Sequence, residues 1–283
     1  MLELAPNNPY GLSLRSPLVA AAGSLGYGLE FARMFDLRQA PGEHGLGLLI
    51  SRTTTLHPRR GPLPQLLETP AGLLYSGVGY NPGLRTVLER YAPLWAKWEL
   101  PVVLSIGGAR AAECAEIATH LEGVEGVAGV ELNLALLDVS PSQALAGAVA
   151  VVRAATLLPL LVKLPVDAAN LVELAVAVAA AGADALSLCG GFAARTTDSQ
   201  TGATLDGLLC GPATRPLAMP RVAAVAQAVS IPVVGGGGVG CNADVQAFLA
   251  AGAMAVSLGS ALLADPRAAG RVLQTLELQT LET

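Results

Sequence analysis

The sequence predicts an α/β protein folded as a single (β/α)8 TIM barrel, and three observations carry that reading. Short apolar runs bounded by Gly or Pro alternate, with little interruption, with longer amphipathic or Ala-rich segments. Eight runs read as strands and eight segments as helices. The strands are continuously apolar, as expected when both faces of a parallel sheet are covered. Eight βα units in 283 residues fit a closed barrel. A doubly wound open sheet is the alternative topology, which the eightfold count disfavours.

The predicted strands are residues 17–22, 45–51, 101–106, 127–133, 159–164, 183–188, 231–235 and 253–258. The predicted helices are residues 29–35, 84–98, 111–121, 142–157, 169–180, 215–228, 242–250 and 266–276. Glycine marks helix ends in Ala180-Ala181-Gly182-Ala183-Asp184 and in Ala250-Ala251-Gly252-Ala253, with Gly126 and Gly129 in that part before strand four. The Pro/Gly-rich stretch 57–83 reads as an extended loop after strand two. No linker, charge run or low-complexity tract divides residues 1–283, so one domain is expected.

Composition narrows the function. With 17 Lys+Arg against 22 Asp+Glu, a net charge of -5 argues against nucleic-acid binding through a broad basic field. At 52% hydrophobic and only 4% aromatic, the interior is packed from small and branched aliphatics, and disorder is excluded as the main state. The mean hydropathy of +0.53 raises the question of a membrane. The apolar stretches around 145–165 and 171–188 are broken by Arg153, Lys163, Glu173 and Asp184, short of the roughly 18 uninterrupted apolar residues that a span needs. Met1-Leu2-Glu3-Leu4-Ala5-Pro6 shows no basic segment followed by an apolar run and no small-residue cleavage site, so a cytoplasmic protein is expected. Cys114, Cys189, Cys210 and Cys241 form no C-x-x-C pair and read as buried small hydrophobes. His44, His57 and His120, in loops or on a helix surface, have no metal-ligand spacing, so no metal is expected.

In a barrel the chemistry lies at the C-terminal ends of the strands. Strand seven ends in Gly235-Gly236-Gly237-Gly238, and strand eight in Ser257-Leu258-Gly259-Ser260. Glycines there let backbone N–H groups converge on an anion, which suits a phosphate; a plain tight loop is the structural alternative. Lys163, one of two lysines in the chain, stands inside the apolar strand Leu160-Leu161-Val162-Lys163-Leu164. A buried ammonium needs an anion, which is either a ligand or Glu131 of the neighbouring strand.

Several short motifs now stand in a definite order: Ala21-Ala22-Gly23-Ser24-Leu25-Gly26-Tyr27-Gly28, Glu68-Thr69-Pro70-Ala71-Gly72, Asn81-Pro82-Gly83, Glu131-Leu132-Asn133, Val162-Lys163-Leu164, Cys210-Gly211-Pro212-Ala213 and the two glycine sites. In that order, over nearly the whole chain, they resemble the dihydroorotate dehydrogenases, especially the class 1B catalytic subunit. The resemblance implies an FMN-dependent oxidoreductase of pyrimidine biosynthesis acting on a CH–CH donor. Gly237, Gly238, Gly259 and Ser260 would hold the FMN phosphate. Lys163 would lie by the pyrimidine side of the ring, where a cation favours the reduced, anionic flavin. Ala21, Gly23 and Gly211 would supply backbone contacts to the isoalloxazine, Asn133 would remain at the cofactor and substrate, and Arg52 stands where the family has lysine. The resemblance also implies a homodimer and an iron-sulfur and FAD-carrying electron-transfer subunit. It gives no reason to expect membrane association.

The departures cluster where substrate binds. The family continues Glu-Leu-Asn with Ile-Ser-Cys-Pro-Asn, its cysteine taking a proton from dihydroorotate while hydride passes to flavin. This chain has Leu134-Ala135-Leu136-Leu137-Asp138, so Leu136 fills the place of the base. The family's Leu-Asn-Ala is Leu74-Tyr75-Ser76, its Val-Asn-Ile is Leu104-Ser105-Ile106, and its Asn-Thr after strand six is Gly190-Gly191. A pocket that loses such groups loses its polar substrate. Two explanations stay open. One is a flavoprotein rebuilt for a different small-molecule substrate, with Asp138, Tyr75 or Ser140 as new proton carriers. The other is a catalytically silent paralogue serving as a scaffold or partner subunit. A flavin-free, phosphate-binding barrel lyase or isomerase is a third reading. Cys189 and Cys210 fall closest to the expected pocket and read as packing residues.

Overall fold

A computed structural model describes residues 1–39, 42–60, 65–76, 79–138, 142–198 and 200–281. Eight strands close into a barrel: Leu18–Ala20, Leu48–Ile50, Val102–Ile106, Gly129–Asn133, Leu160–Lys163, Ala185–Leu188, Val233–Gly236 and Ala255–Leu258. Every neighbouring pair is parallel, and strand eight returns to strand one with Leu258 opposite Ala20. The open-sheet alternative is thereby excluded.

Side chains alternate between the inside of the barrel and the helical shell. One interior layer is apolar: Val19, Ile50, Val103, Leu161, Ala185, Val234 and Ala255 cluster together, fully buried. Leu4, Ala5, Leu12 and Leu14 join them from the small N-terminal hairpin that pairs Leu2–Glu3 with Ser13–Leu14, which plugs the barrel from below. Two residues further along the strands the interior turns polar, with Ser105, Glu131, Lys163, Ser187 and Ser257. That change of layer is what makes a floor for a site.

Helices Ala111–Leu121, Arg215–Ala228 and Asn242–Ala250 lie within their expected bounds. Helices Ser142–Arg153 and Leu171–Ala180 lie within theirs but are shorter. The glycine ends behave as the sequence indicates: Gly182 and Gly252 take φ of 103° and 98° just after the helix caps, a region costly for a residue with a Cβ. Three expectations are corrected. Residues 29–35 form only the 3-10 turn Phe31–Arg33 among successive tight turns. The 84–98 segment breaks at Tyr91 into Leu84–Arg90 and Ala92–Trp95, because Pro93 lacks the N–H that would continue the first helix and instead opens the second. The last helix runs over Ala268–Leu281, preceded by a short one over Ser260–Ala264.

The segment 57–83 is not merely a loop. It contains the antiparallel pair Gln65–Thr69 and Gly72–Ser76, which joins Phe192–Thr197 and Thr204–Cys210 in a four-stranded sheet. Leu208 pairs with Tyr75 and Cys210 with Leu73, so two excursions, one after strand two and one after strand six, meet above the barrel mouth. At the opposite end Asp184 accepts hydrogen bonds from Arg153, Asn8 and the Leu160 N–H at 2.9, 3.1 and 2.8 Å, fastening the N-terminal loop to the barrel.

Candidate active site

A cavity enclosing about 1050 Å³ of empty space, its mouth included, opens at the C-terminal ends of the strands. Ala21, Gly23, Arg52, Tyr75, Asn133, Lys163, Gly211, Gly237, Gly238, Gly259 and Ser260 all line it. Residues scattered across six strand ends and two hairpins are thus brought into a single wall. Asp138 is not among them: its side chain is exposed, and its backbone N–H donates to the Ala109 carbonyl at 3.0 Å. The structure does not bring Asp138 together with the other candidates. Ser140 lies outside the described residues.

One wall is backbone. Gly238, at φ 71°, passes so close to the Gly211 carbonyl that a Cβ would meet that oxygen at 2.4 Å. Only glycine lets the strand-seven loop nest against the Gly211 turn. Ser257, whose hydroxyl is buried and has no hydrogen-bond partner, lines the same cavity. A buried hydroxyl without a partner is costly, and an anion with several acceptor oxygens meets that need.

The floor is charged. Lys163 opens on the cavity, with Glu131 inside the barrel on the adjoining strand, where Asn133 is its register partner. Burial works against the ammonium, but Cys189, Glu131, Cys210 and Tyr75 around it hold its pKa above the ordinary lysine value. Burial pushes the Glu131 carboxyl up, opposed by Lys163 and by the hydroxyls of Ser105 and Ser187. Among the described residues lining the cavity there is no carboxylate, while Arg52 and Lys163 supply two cations. Such a cavity favours an anionic or electron-rich guest.

The polar groups are linked. Ser105 donates to Glu131 Oε1 at 3.0 Å, Thr53 and Ser105 share a hydrogen bond of 2.9 Å, and Asn133 Nδ2 donates to Thr53 Oγ1 at 3.2 Å. The other side of the Asn133 amide accepts from the Ala135 N–H at 3.2 Å, capping the 3-10 turn Leu134–Leu136.

Several lining residues escaped sequence reasoning: Ser24, Thr53, Tyr80, Leu208 and Ser257. Thr53 and Ser257 adjoin positions that did carry a signal. Leu208 carried none, because only the pairing of its hairpin with Tyr75 brings it over the mouth. The cysteines divide: Cys114 and Cys189 are buried as expected, Cys210 is half-buried in the cavity wall, and Cys241 is exposed. His44, expected in a loop, is in a loop but fully buried.

The sequence matches known proteins along nearly its whole length. A family model described as Dihydroorotate dehydrogenase matches residues 5–279. The chain is 38% identical over 281 residues to the dihydroorotate dehydrogenase B (NAD(+)) catalytic subunit of Desulforudis audaxviator, covering 94% of this chain and 89% of the relative. The protein of the same description from Geobacillus sp. (strain WCH70) is 36% identical, with 94% and 87% covered. That from Desulforamulus reducens is 35% identical, with 96% and 91% covered. With a barrel of the expected closure, one cavity at the expected end, and relatives matched along nearly their whole length, the chain belongs to the dihydroorotate dehydrogenase family.

Proposed function

We propose that this member of the family is an FMN-binding oxidoreductase whose cavity serves a substrate other than dihydroorotate. The observation that supports flavin binding most strongly is the pairing of a glycine wall, into which no Cβ fits at Gly238, with Lys163 on the floor of the same cavity. The residues present fit the group. Gly237, Gly238, Gly259 and Ser260 would hold the phosphate, with Ser257 available to it. Ala21, Gly23 and Gly211 would meet the ring through their backbone, and Arg52, Asn133 and Lys163 would surround it. When bound, FMN supplies the two-electron acceptor that no amino-acid side chain provides.

The substrate half supports the change of specificity. Tyr75, Tyr80, Leu208 and Cys210 line it, and Gly190 and Gly191 bring no side chain where the family has amide and hydroxyl. Leu136 stands in the place of the family's base and cannot accept a proton. A less polar substrate than a carboxylated pyrimidine is the better match. The relatives are described as catalytic subunits, which supports an electron-transfer partner, with a homodimer as the form that would engage it. Among the described residues no helix is long and apolar enough to cross a membrane.

The test is the visible absorption spectrum of the freshly purified protein, repeated after adding FMN and desalting. Flavin bands retained through desalting are expected, and they should bleach with a chemical reductant. A colourless protein after reconstitution would overturn the flavin reading and favour the silent scaffold. Dihydroorotate turnover at rates typical of the family would overturn the change of substrate.

A further inference from the structure

Glu131 is fully buried, and its Oε2 has no hydrogen-bond partner. It lies beneath the cavity rather than in its lining, yet a chain of hydroxyls joins it to the lining. Ser105 donates to Glu131 Oε1, which leaves the Ser105 oxygen to accept from the Thr53 hydroxyl, 2.9 Å away. Thr53 in turn accepts from Asn133 and stands in the cavity wall. With Glu131 as carboxylate, the Ser105 and Thr53 hydroxyls can both point inward, toward the carboxylate. Thr53 Oγ1 then presents a remaining lone pair to whatever occupies the cavity. This is the orientation of a proton sink.

Charge balance gives the sink a reason to fill. The groups that act on Glu131 are Lys163 on the next strand and the hydroxyls of Ser105 and Ser187, while Cys189, Cys210 and Tyr75 surround Lys163 in turn and Arg52 lines the same cavity. Lys163 is the cation that acts on Glu131, and its attraction opposes the burial that pushes the carboxyl up. A neutral oxidised flavin leaves that ammonium to the carboxylate. A reduced, anionic flavin beside Lys163 claims it, and a second buried anion is then left without compensation.

We propose that Glu131 is the proton acceptor of this cavity, taking up one proton through Thr53 and Ser105 when the flavin beside Lys163 is reduced. The proposal rests on the flavin reading above. For a CH–CH donor the step balances. One C–H bond breaks with its electron pair, which leaves as hydride to the flavin. The adjacent C–H bond gives its electron pair to the new double bond and its proton to Thr53. Thr53 passes a proton to Ser105, and Ser105 passes one to Glu131 Oε1, turning carboxylate to carboxylic acid as the flavin becomes anionic. The site thus supplies proton acceptance without the family's thiol, in whose place in the sequence this chain has Leu136.

The test needs no substrate. The midpoint potential of bound FMN is measured against pH between about 6 and 8, where the proposal requires Glu131 to be ionised beside oxidised flavin and protonated beside reduced flavin. One proton per two electrons is a tenfold change in the reduction equilibrium per pH unit, about 30 mV, and two protons are a hundredfold change, about 60 mV. Wild type is expected to show the hundredfold dependence, Glu131→Gln the tenfold one, and Cys189→Ser the wild-type slope. A tenfold slope in wild type overturns the proposal without recourse to any variant. So does a slope that falls in Cys189→Ser and not in Glu131→Gln, because the thiol is then the acceptor. Should Glu131→Gln fail to fold, the reduced-minus-oxidised infrared spectrum of wild type decides. A carboxylic-acid C=O band that appears on reduction and moves in D2O supports the proposal, and its absence overturns it. Failure of the flavin reading itself is seen earlier, as a protein without bound FMN.

Discussion

The proposed change of substrate turns in part on Leu136, which stands in sequence where the resemblance implies a catalytic cysteine. Its side chain packs toward Gly107 so tightly that a Cβ there would come within 2.8 Å of Leu136 Cδ1, and it is absent from the cavity lining. The 3-10 turn that carries it is capped by Asn133, whose amide is spent on Thr53 and on the Ala135 N–H. A thiol introduced at this position inherits the same packing direction and, on the function proposed above, finds Tyr75, Ser105, Gly190 and Gly191 in place of the substrate contacts that the resemblance implies. Leu136→Cys by itself is therefore expected to leave dihydroorotate oxidation at background, although a positioned general base typically contributes about 10²–10⁴-fold. Steady-state assay of the single variant checks this. Turnover raised by even about a hundredfold would show that the turn can present the thiol to the cavity.

The barrel elements were legible because their signal is local and redundant: each strand is an apolar run, and the helix ends carry glycine at Gly182 and Gly252. The four-stranded sheet over the mouth was not, since its strands are half-exposed and its decisive pairing, Leu208 with Tyr75, joins residues far apart in the chain. The same division holds in the site. Glycine runs and a lone lysine in an apolar strand announce themselves, whereas the Thr53–Ser105–Glu131 link depends on register across three neighbouring barrel strands. The Gly238 turn offers a test at this scale. Alanine at φ 71° costs about 1–2 kcal/mol in backbone strain, and its Cβ also displaces the Gly211 carbonyl. Gly238→Ala is expected to keep the circular dichroism of the barrel while weakening FMN retention at least about tenfold, the equivalent of roughly 1.4 kcal/mol. Equal retention in the two proteins, read by fluorescence titration, would remove the glycine wall from the phosphate site.

Across the whole molecule, the first and last βα units must lock together, and His44 sits at that joint. It is fully buried beside Phe31 and Phe35, and the next residue, Gly45, passes so close to the C-terminal helix that a Cβ would meet the Ala269 carbonyl at 2.6 Å. Its Nδ1 accepts from the Leu46 N–H at 3.0 Å, and its Nε2 lies 3.2 Å from the Gln39 carbonyl. This is the pattern of a neutral ring, because protonation sets an Nδ1 proton against the Leu46 N–H. Burial lowers the His44 pKa below the ordinary value of 6.5, opposed by the Gln39 carbonyl. The unfolded chain therefore binds this proton more readily than the folded one. The stability this contributes is complete above 6.5 and is lost as pH falls below it, with a limiting slope of about 1.4 kcal/mol per pH unit. Glu131 works in the opposite sense, since its raised pKa in the fold makes stability fall as pH rises through that value. Comparing wild type with His44→Gln at each pH separates the two, because the Glu131 contribution is common to both proteins. Between about pH 7.5 and 5.5 the urea midpoint of wild type is expected to drop more than that of His44→Gln, so that the gap between them narrows with acid. A gap independent of pH would mean that the His44 ring accepts its proton as easily in the fold as in the unfolded chain, and that the joint tolerates a buried charge.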